Sequence, residues 1–355
     1  MKLIATLLGL SVAATALAQD KPAPIQFSGY VETYYAYDFS RPENGERPDF
    51  LYNYDQHNEF NINLAYLKAA YTGDQIRSNL AIMAGTYAQA NLILEPELAR
   101  YVFEANAGVK LAKNKNLWLD VGIMPSHIGF ESAIGKDCWT LTRSIIAENS
   151  PYYESGAKLT YTSDNDKWQL SGLLLNGWQR IGRTNRSNRP DFGSQLLYKP
   201  SDKFTVNWST YIGKESYTTA LLNRYFNNLY VQSQLNRKWG LTFGFDFGAQ
   251  ERSQDNSALD YWWSRVLIVR YAPGEHFRMA FRLEDYVDPN NVILNLTNSE
   301  FRMRGASVNF DFIRFKYAML RIEPRYLFSP NNIFINDNKL VRNNFALTMS
   351  LSVGF

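Results

Sequence analysis

The chain is poor in the residues on which much protein chemistry depends. It has one cysteine, Cys138, among 355 residues. That excludes an intrachain disulfide framework, and a lone thiol provides no metal site. Its three histidines, His57, His127 and His276, include no pair spaced as ligands on one strand face. Beyond the N-terminal segment no apolar run approaches the roughly 20 residues of a spanning helix. Charge of one sign is also lacking: 37 basic against 34 acidic side chains leave +3, and +2 without Lys2. Such balance argues against a nucleic-acid partner. No repeat of solenoid or propeller period is evident, and no low-complexity linker divides the chain.

What is present begins with a secretory pattern. Lys2 supplies a positive start, Leu3 to Ala14 an apolar stretch, and Ala16-Leu17-Ala18 a small-x-small cleavage site. The expectation is a signal peptide over 1–18, a mature start at Gln19, and export in a Gram-negative cell. A buried N-terminal helix would not need that order of charge, apolar run and small residues. No cysteine at the cleavage point offers a lipoprotein anchor. The chain is 15% aromatic and 45% hydrophobic, yet its mean hydropathy is slightly negative. That balance suits strands of which only every second residue meets lipid.

The clearest pattern closes the sequence. Phe345, Leu347, Met349, Leu351, Val353 and Phe355 alternate with Ala346, Thr348, Ser350, Ser352 and Gly354. This period of two gives one apolar and one small polar face. A soluble sandwich would seldom leave such a strand unprotected at its end. A terminal strand ending in Phe355 is similar to the assembly signal of bacterial barrels. The alternation recurs with Trp239, Leu241, Phe243, Phe245 and Phe247, with Phe204, Val206, Trp208 and Ile212, and with Phe27, Val31, Tyr35 and Tyr37. Leu64–Tyr71 and Trp262–Arg270 break parity and read as bulges.

Short turns are expected at 72–74, 113–116, 163–166, 200–202, 236–238, 273–275 and near Arg314-Phe315. Longer loops are expected around 40–57, 91–100, 131–153, 180–190, 215–223, 251–258, 287–299 and 329–341. Long and short connections therefore alternate, as in transmembrane antiparallel β-barrels with short periplasmic turns and long extracellular loops. The fold class is all-β, one barrel over 19–355 of about 16 strands, with 14 to 18 compatible and both termini periplasmic. The few residues between Gln19 and the first strand leave no room for a plug domain.

The middle of the chain adds a resemblance. Residues 117–132, LWLDVGIMPSHIGFES, continue to WTLTRS at 139–144 and AENSPYYESG at 147–156. With Gly29-Tyr30-Val31-Glu32, Asn58-Glu59-Phe60-Asn61 and Leu175-Asn176-Gly177-Trp178-Gln179, these segments resemble the OmpL-like outer-membrane porin family of Bacteroidota. The likeness covers about the first two-thirds of the chain and implies a porin-like barrel without settling a substrate.

The longest loop, 131–153, holds Ile134, Trp139, Leu141, Ile145 and Ile146, so it should pack against something. Thr142 to Glu148 could form a short helix ended by Asn149-Ser150-Pro151. As the third outer loop, it is expected to fold into the barrel as a constriction, with Glu131, Asp137, Arg143 and Glu148 along it. A loop folded over the rim is the plainer alternative. Parity puts Arg278, Arg282, Glu284, Arg321, Glu323 and Arg325 on the inner face, with Glu32, Asp38, Glu104, Lys110, Asp120, Lys158 and Asp246. A charge facing lipid at the midplane would cost about 2–4 kcal/mol for Arg or Lys. Two arrangements are open for the arginines: facing the loop acids across a pore, or pairing with neighbouring strands.

Catalysis finds little support. Ser126 and His127 are adjacent, and adjacent strand residues point to opposite faces. His127 more naturally anchors the start of the third loop. Asp285 to Asn295 could hold calcium, although acidic outer loops commonly hold none. The favoured reading is a non-enzymatic outer-membrane porin for passive diffusion of small hydrophilic solutes, without cofactor or bound metal. Partners would be lipid, lipopolysaccharide, the barrel-assembly machinery, small hydrophilic solutes and, by analogy with sixteen-stranded porins, two further copies in a trimer. A structural or adhesive barrel with a blocked lumen is the main rival, and a barrel hydrolase the weaker one.

Overall fold

A computed structural model describes residues 25–183, 189–217, 220–252, 258–294, 300–337 and 339–355. The signal segment 1–18 lies outside the described residues. The first strands are β1 (Ile25–Asp38), β2 (Phe60–Thr72), β3 (Ile76–Ala84), β4 (Val102–Lys110), β5 (Asn116–Pro125) and β6 (Tyr153–Thr162). Then come β7 (Trp168–Leu175), β8 (Asp191–Ser201), β9 (Phe204–Tyr217), β10 (Ala220–Gln234), β11 (Trp239–Glu251) and β12 (Leu259–Tyr271). The chain ends with β13 (Phe277–Asp288), β14 (Phe301–Phe315), β15 (Ala318–Phe328), the short hairpin β16 (Phe334–Asn336) and β17 (Lys339–Val341), and β18 (Asn343–Gly354). All but the hairpin form one closed antiparallel barrel of sixteen strands. Closure leaves no unpaired edge, which is what lets strands cross lipid.

The seam joins the two ends of the chain. β1 pairs with β18 from Tyr30↔Gly354 to Asp38↔Ala346. Gly29 and Phe355 exchange backbone hydrogen bonds of 2.9 and 3.0 Å. The Phe355 ring lies over Gly29, where an added Cβ would stand 2.5 Å from it. Outward positions carry the large apolar side chains, Phe281, Leu283, Phe312, Leu320 and Leu351 among them. The paired inward row Arg282↔Ser307, then Ser307↔Arg325, is hidden from lipid.

Seven short turns join strands at the end holding the termini, and the longer connections lie at the other end. The expected loop at 215–223 is the exception. β9 and β10 stay paired out to Tyr217↔Ala220. Glu215 and Ser216 read as loop because a polar run lacks the alternation of a strand in lipid, although their backbone stays paired. Of the expected bulges, that over Leu64–Tyr71 is corrected: these residues pair without a break, and the irregularity lies just before them at Asn63, where pairing steps from Glu32↔Leu64 to Thr33↔Ile62. The second is corrected as well: β12 pairs without interruption on both sides. Its inward residues Val266 and Ile268 are apolar because Ile146 of the third loop packs on them. A wall covered by a loop has no reason to be polar.

Loops fill the extracellular mouth. Phe50 and Leu51 of the first loop, Ile145 of the third, Leu294 of the seventh and Phe334 of the hairpin form one buried cluster. They pack on inward Trp262, Tyr286, Met303 and Leu327. Each such side chain is worth about 1.5–3 kcal/mol when fully buried.

The lipid face yields the first test. Phe281→Arg should lower the free energy of unfolding by about 2–4 kcal/mol in urea titrations of vesicle-inserted protein. Ser307→Ala, on the inner face and with a buried hydroxyl that lacks a partner, should change it little. Equal stability of the Phe281→Arg variant and the wild type would reject the assigned facing.

Candidate pore constriction

The third loop, residues 126–152, crosses the barrel interior and is held at both ends of its crossing. At its start His127 is buried. Its Nδ1 lies 2.8 Å from Glu154 Oε2 on β6, and its Nε2 lies 2.9 Å from the Thr210 carbonyl on β9. Both ring nitrogens are therefore engaged. Ser209 and Gln195 donate to the His127 carbonyl at 2.6 and 3.0 Å. The ring is thus a strut between strands. Ser126 Oγ accepts from the Ile128 amide at 3.1 Å, so the adjacent serine is engaged elsewhere.

On the far wall the inward side chains of β13–β15 receive the loop. Arg321 donates to Asp311 at 2.7 Å and to the Gly135 and Cys138 carbonyls at 2.8 and 3.1 Å. Glu323 accepts from the Thr142 amide and hydroxyl, both at 2.7 Å. Arg282 donates to Glu323 at 2.8 Å and to the Thr142 carbonyl at 2.6 Å. Glu284 accepts from the Ile145 amide at 2.8 Å and from Arg325 at 2.7 Å. The Leu141 amide donates to Asn309 at 3.1 Å. Three arginines meet three carboxylates, so the set is neutral, and every member is buried. The arginines therefore pair with neighbouring strands, the second of the two arrangements open from sequence, and Arg282 and Arg321 donate further N–H groups to loop carbonyls. At Gly135 the loop comes so close to the wall that a Cβ would lie 2.3 Å from Glu32 Oε1.

The loop's own charges have different partners. Arg143 folds back on the Ser132, Leu141 and Ala133 carbonyls at 2.6, 2.6 and 3.1 Å. Glu131 accepts from the Ser144 amide at 3.0 Å and pairs with its hydroxyl. Glu148 accepts from the Tyr52 amide and Asn53 at 3.0 and 3.1 Å, tying the third loop to the first. Asp137 faces Lys136 at 2.8 Å and is half-exposed. Arg278 sits apart, opposite Asp311 in register, in a periplasmic-side cavity of about 500 Å³ with Arg237, Lys238 and Arg270. The helix expected at 142–148 is only one turn, α1 (Ile145–Glu148), because the Thr142 amide and hydroxyl are committed to Glu323. Parity could have identified Asp311 as an inward partner; Asn309 and Glu154 matter only through contacts made by a distant loop.

Two spaces flank the crossing. A cavity of about 220 Å³ lies between the loop and the β4–β6 side, lined by Phe103, Glu104, Glu131 and Tyr152. A vestibule of about 290 Å³ opens among the outer loops. Tyr153 borders both. The expected calcium patch has its carboxylates engaged. Asp288 accepts three backbone amides, from Val292, Ile293 and Leu294, at 2.8 to 3.1 Å. Asp285 faces outward between Arg265 and Arg304. Among the described residues no group of three His, Cys, Asp or Glu is placed to hold a metal ion.

The family described as "Putative beta-barrel porin-2, OmpL-like" matches residues 24–355. Among solved structures, an anion-selective porin from Comamonas acidovorans superposes with TM-score 0.62 at 9% identity, over 93% of this chain and 99% of that one. OmpF of Salmonella typhi, in complex with daunomycin, gives 0.58 at 11% identity, over 93% and 97%. A trimer form of OmpT, an outer membrane protein of Vibrio cholerae, gives 0.56 at 10%, over 93% and 99%. No curated protein sequence matches the chain.

Glu323→Gln leaves Arg282 short of one counter-charge in a buried site, a loss of about 3–5 kcal/mol. The barrel should still form, but protease added outside should cut the third loop, and unchanged resistance would reject the docking. A second test uses pH. Burial pushes the Glu148 carboxyl up from its ordinary 4.5 to about 7, against hydrogen bonds from Asn53, the charge of Arg325 and the Tyr52 amide. A raised carboxyl favours the docked loop most below about pH 4.5, and that gain is lost as pH rises through about 7. Each unit of the difference is worth about 1.4 kcal/mol. Loop cleavage should therefore speed up between pH 5 and 8 in the wild type, with a flatter profile in Glu148→Gln.

Proposed function

The chain belongs to the OmpL-like β-barrel porin family and is an outer-membrane porin, and from that premise we propose that its third loop acts as the constriction over 131–153. Small hydrophilic solutes and ions pass beside the loop, along the β4–β6 wall, and larger ones are excluded. The observation that carries this reading is the docked loop itself, pinned to β13–β15 by a neutral buried charge set, with cavities remaining on the opposite side. A neutral pinning set adds little net field to the passage. Size therefore filters more strongly than charge, and Glu104 and Glu131 supply the local polarity. Residues 1–18 act as the export signal in the same proposal, and the strand ending in Phe355 as the assembly signal. No chemistry is performed on the solute, in keeping with a His127 ring whose two nitrogens are both engaged. Trimer assembly is proposed by analogy with the trimeric OmpT form. The exposed Arg265 and Arg304 beside Asp285 would face anionic lipopolysaccharide headgroups.

A second reading has an observation of its own. The apolar mouth cluster of Phe50, Leu51, Leu294 and Phe334 closes much of the entrance, as a barrel with a blocked lumen would require. Single-channel recording separates the two. Replacing 133–147 by a short Gly-Ser linker should raise conductance several-fold over the wild type and admit larger sugars in liposome swelling. Equal conductance would remove the loop as constriction, and a silent wild type with an open variant would favour the blocked barrel.

A further inference from the structure

The vestibule holds groups that a size filter does not use. It is a half-open space of about 290 Å³ among the outer loops, lined by Asn91, Glu148, Asn149, Arg180 and Arg224, with Trp178 beside them. Asn91 and Asn149 are each more than nine-tenths buried. Their Oδ1 atoms have no hydrogen-bond donor. Neither amide can simply turn over, because the Nδ2 groups already donate to carbonyls: Asn91 to Tyr87 at 3.4 Å, Asn149 to Ile145 at 3.0 Å. Turning either would set two oxygens against each other. Buried acceptors without donors are costly and native proteins seldom keep them, so two beside one cavity call for a donor from outside.

Cationic groups share the same space. Arg180 is half-buried and makes no hydrogen bond or ion pair among the described residues. Arg224 is buried, donates to Gln250 at 2.9 Å, and meets Glu215 only at 3.8 Å. Glu148 has two neutral donors and no cation in hydrogen-bond contact. A carbohydrate would need an open aromatic face, and Trp178 does not offer one. Arg224 lies 5.3 Å from its ring centroid, and Tyr211 and Phe226 meet it edge-on at 5.0 and 4.8 Å.

The geometry points to a capture site for small zwitterions, free amino acids or dipeptides, whose carboxylate meets Arg180 and Arg224 and whose ammonium donates to Glu148, Asn91 and Asn149. The volume suits a solute of that size, and the site lies above the constriction, where it would concentrate solute before passage. This rests on the porin reading. Burial that holds the Glu148 carboxyl near neutrality fits a site whose cation arrives with the ligand.

The test uses the full-length barrel in detergent and in planar bilayers, with leucine, leucine amide, N-acetylleucine and glucose. Calorimetry should show binding of leucine, weaker binding of the amide and the acetylated form, and none of glucose. Arg180→Gln should weaken leucine about tenfold or more, as expected for one charge-assisted contact, with the barrel's melting point unchanged. In bilayers, leucine should interrupt the current from the outer side. Equal binding of all four compounds, or none, in a conducting channel overturns the proposal and leaves the porin reading intact. A barrel that binds leucine selectively but passes no current keeps the site and rejects the pore.

Discussion

Arg282, Arg321 and Arg325 stand beside Glu284, Glu323 and Asp311 on three neighbouring strands, and the loop that crosses the barrel depends on them. A guanidinium offers more donors than one carboxylate can accept. The surplus N–H groups reach the carbonyls of Gly135, Cys138 and Thr142, while surplus carboxylate oxygens take the amides of Thr142 and Ile145. The ion pairs therefore supply hydrogen-bond partners to a chain segment that forms no ladder of its own. In a site hidden from water each of these bonds is strong, and each missing one is costly.

The same constraint explains the character of the inner wall. A lumen is ordinarily polar because it is wet. Here Val266 and Ile268 are apolar where Ile146 covers them, and Trp262, Met303 and Leu327 are apolar where other loops fill the mouth. Polar side chains such as Lys68, Glu104, Arg77 and Asp120 pair on the β2–β5 side, where partial exposure remains. The docking face and the more exposed polar wall thus lie on different sides of the barrel.

Much of the barrel was legible because lipid acts on every strand alike. The period of two from Phe345 to Phe355 reports a face that must be apolar, and the short polar turns report where pairing reverses. The failures have the same physical origin. Parity at Trp262–Arg270 looked broken because a covered wall loses its polar signature. Glu215 to Tyr217 looked like the start of a loop although their strand remains paired. Of the site, the inward placement of Arg282, Glu284, Arg321, Glu323 and Arg325 followed from alternation. Their partners did not, since Gly135, Cys138 and Thr142 reach them from more than 130 residues away in the chain.

By itself the sequence determined which residues could face lipid, how many times the chain could cross, and that the third loop was too apolar to stay in water. Those are local properties, set by solvent contact residue by residue. Only the tertiary structure decided where that loop went. His127 became a strut because Glu154 and the Thr210 carbonyl converge on its ring, and Phe355 became the seam because Gly29 lies beneath it. The arginines, for which two arrangements were open, meet the carboxylates of their own wall. Barrel closure brings those groups within hydrogen-bond distance, and no spacing along the chain records that distance.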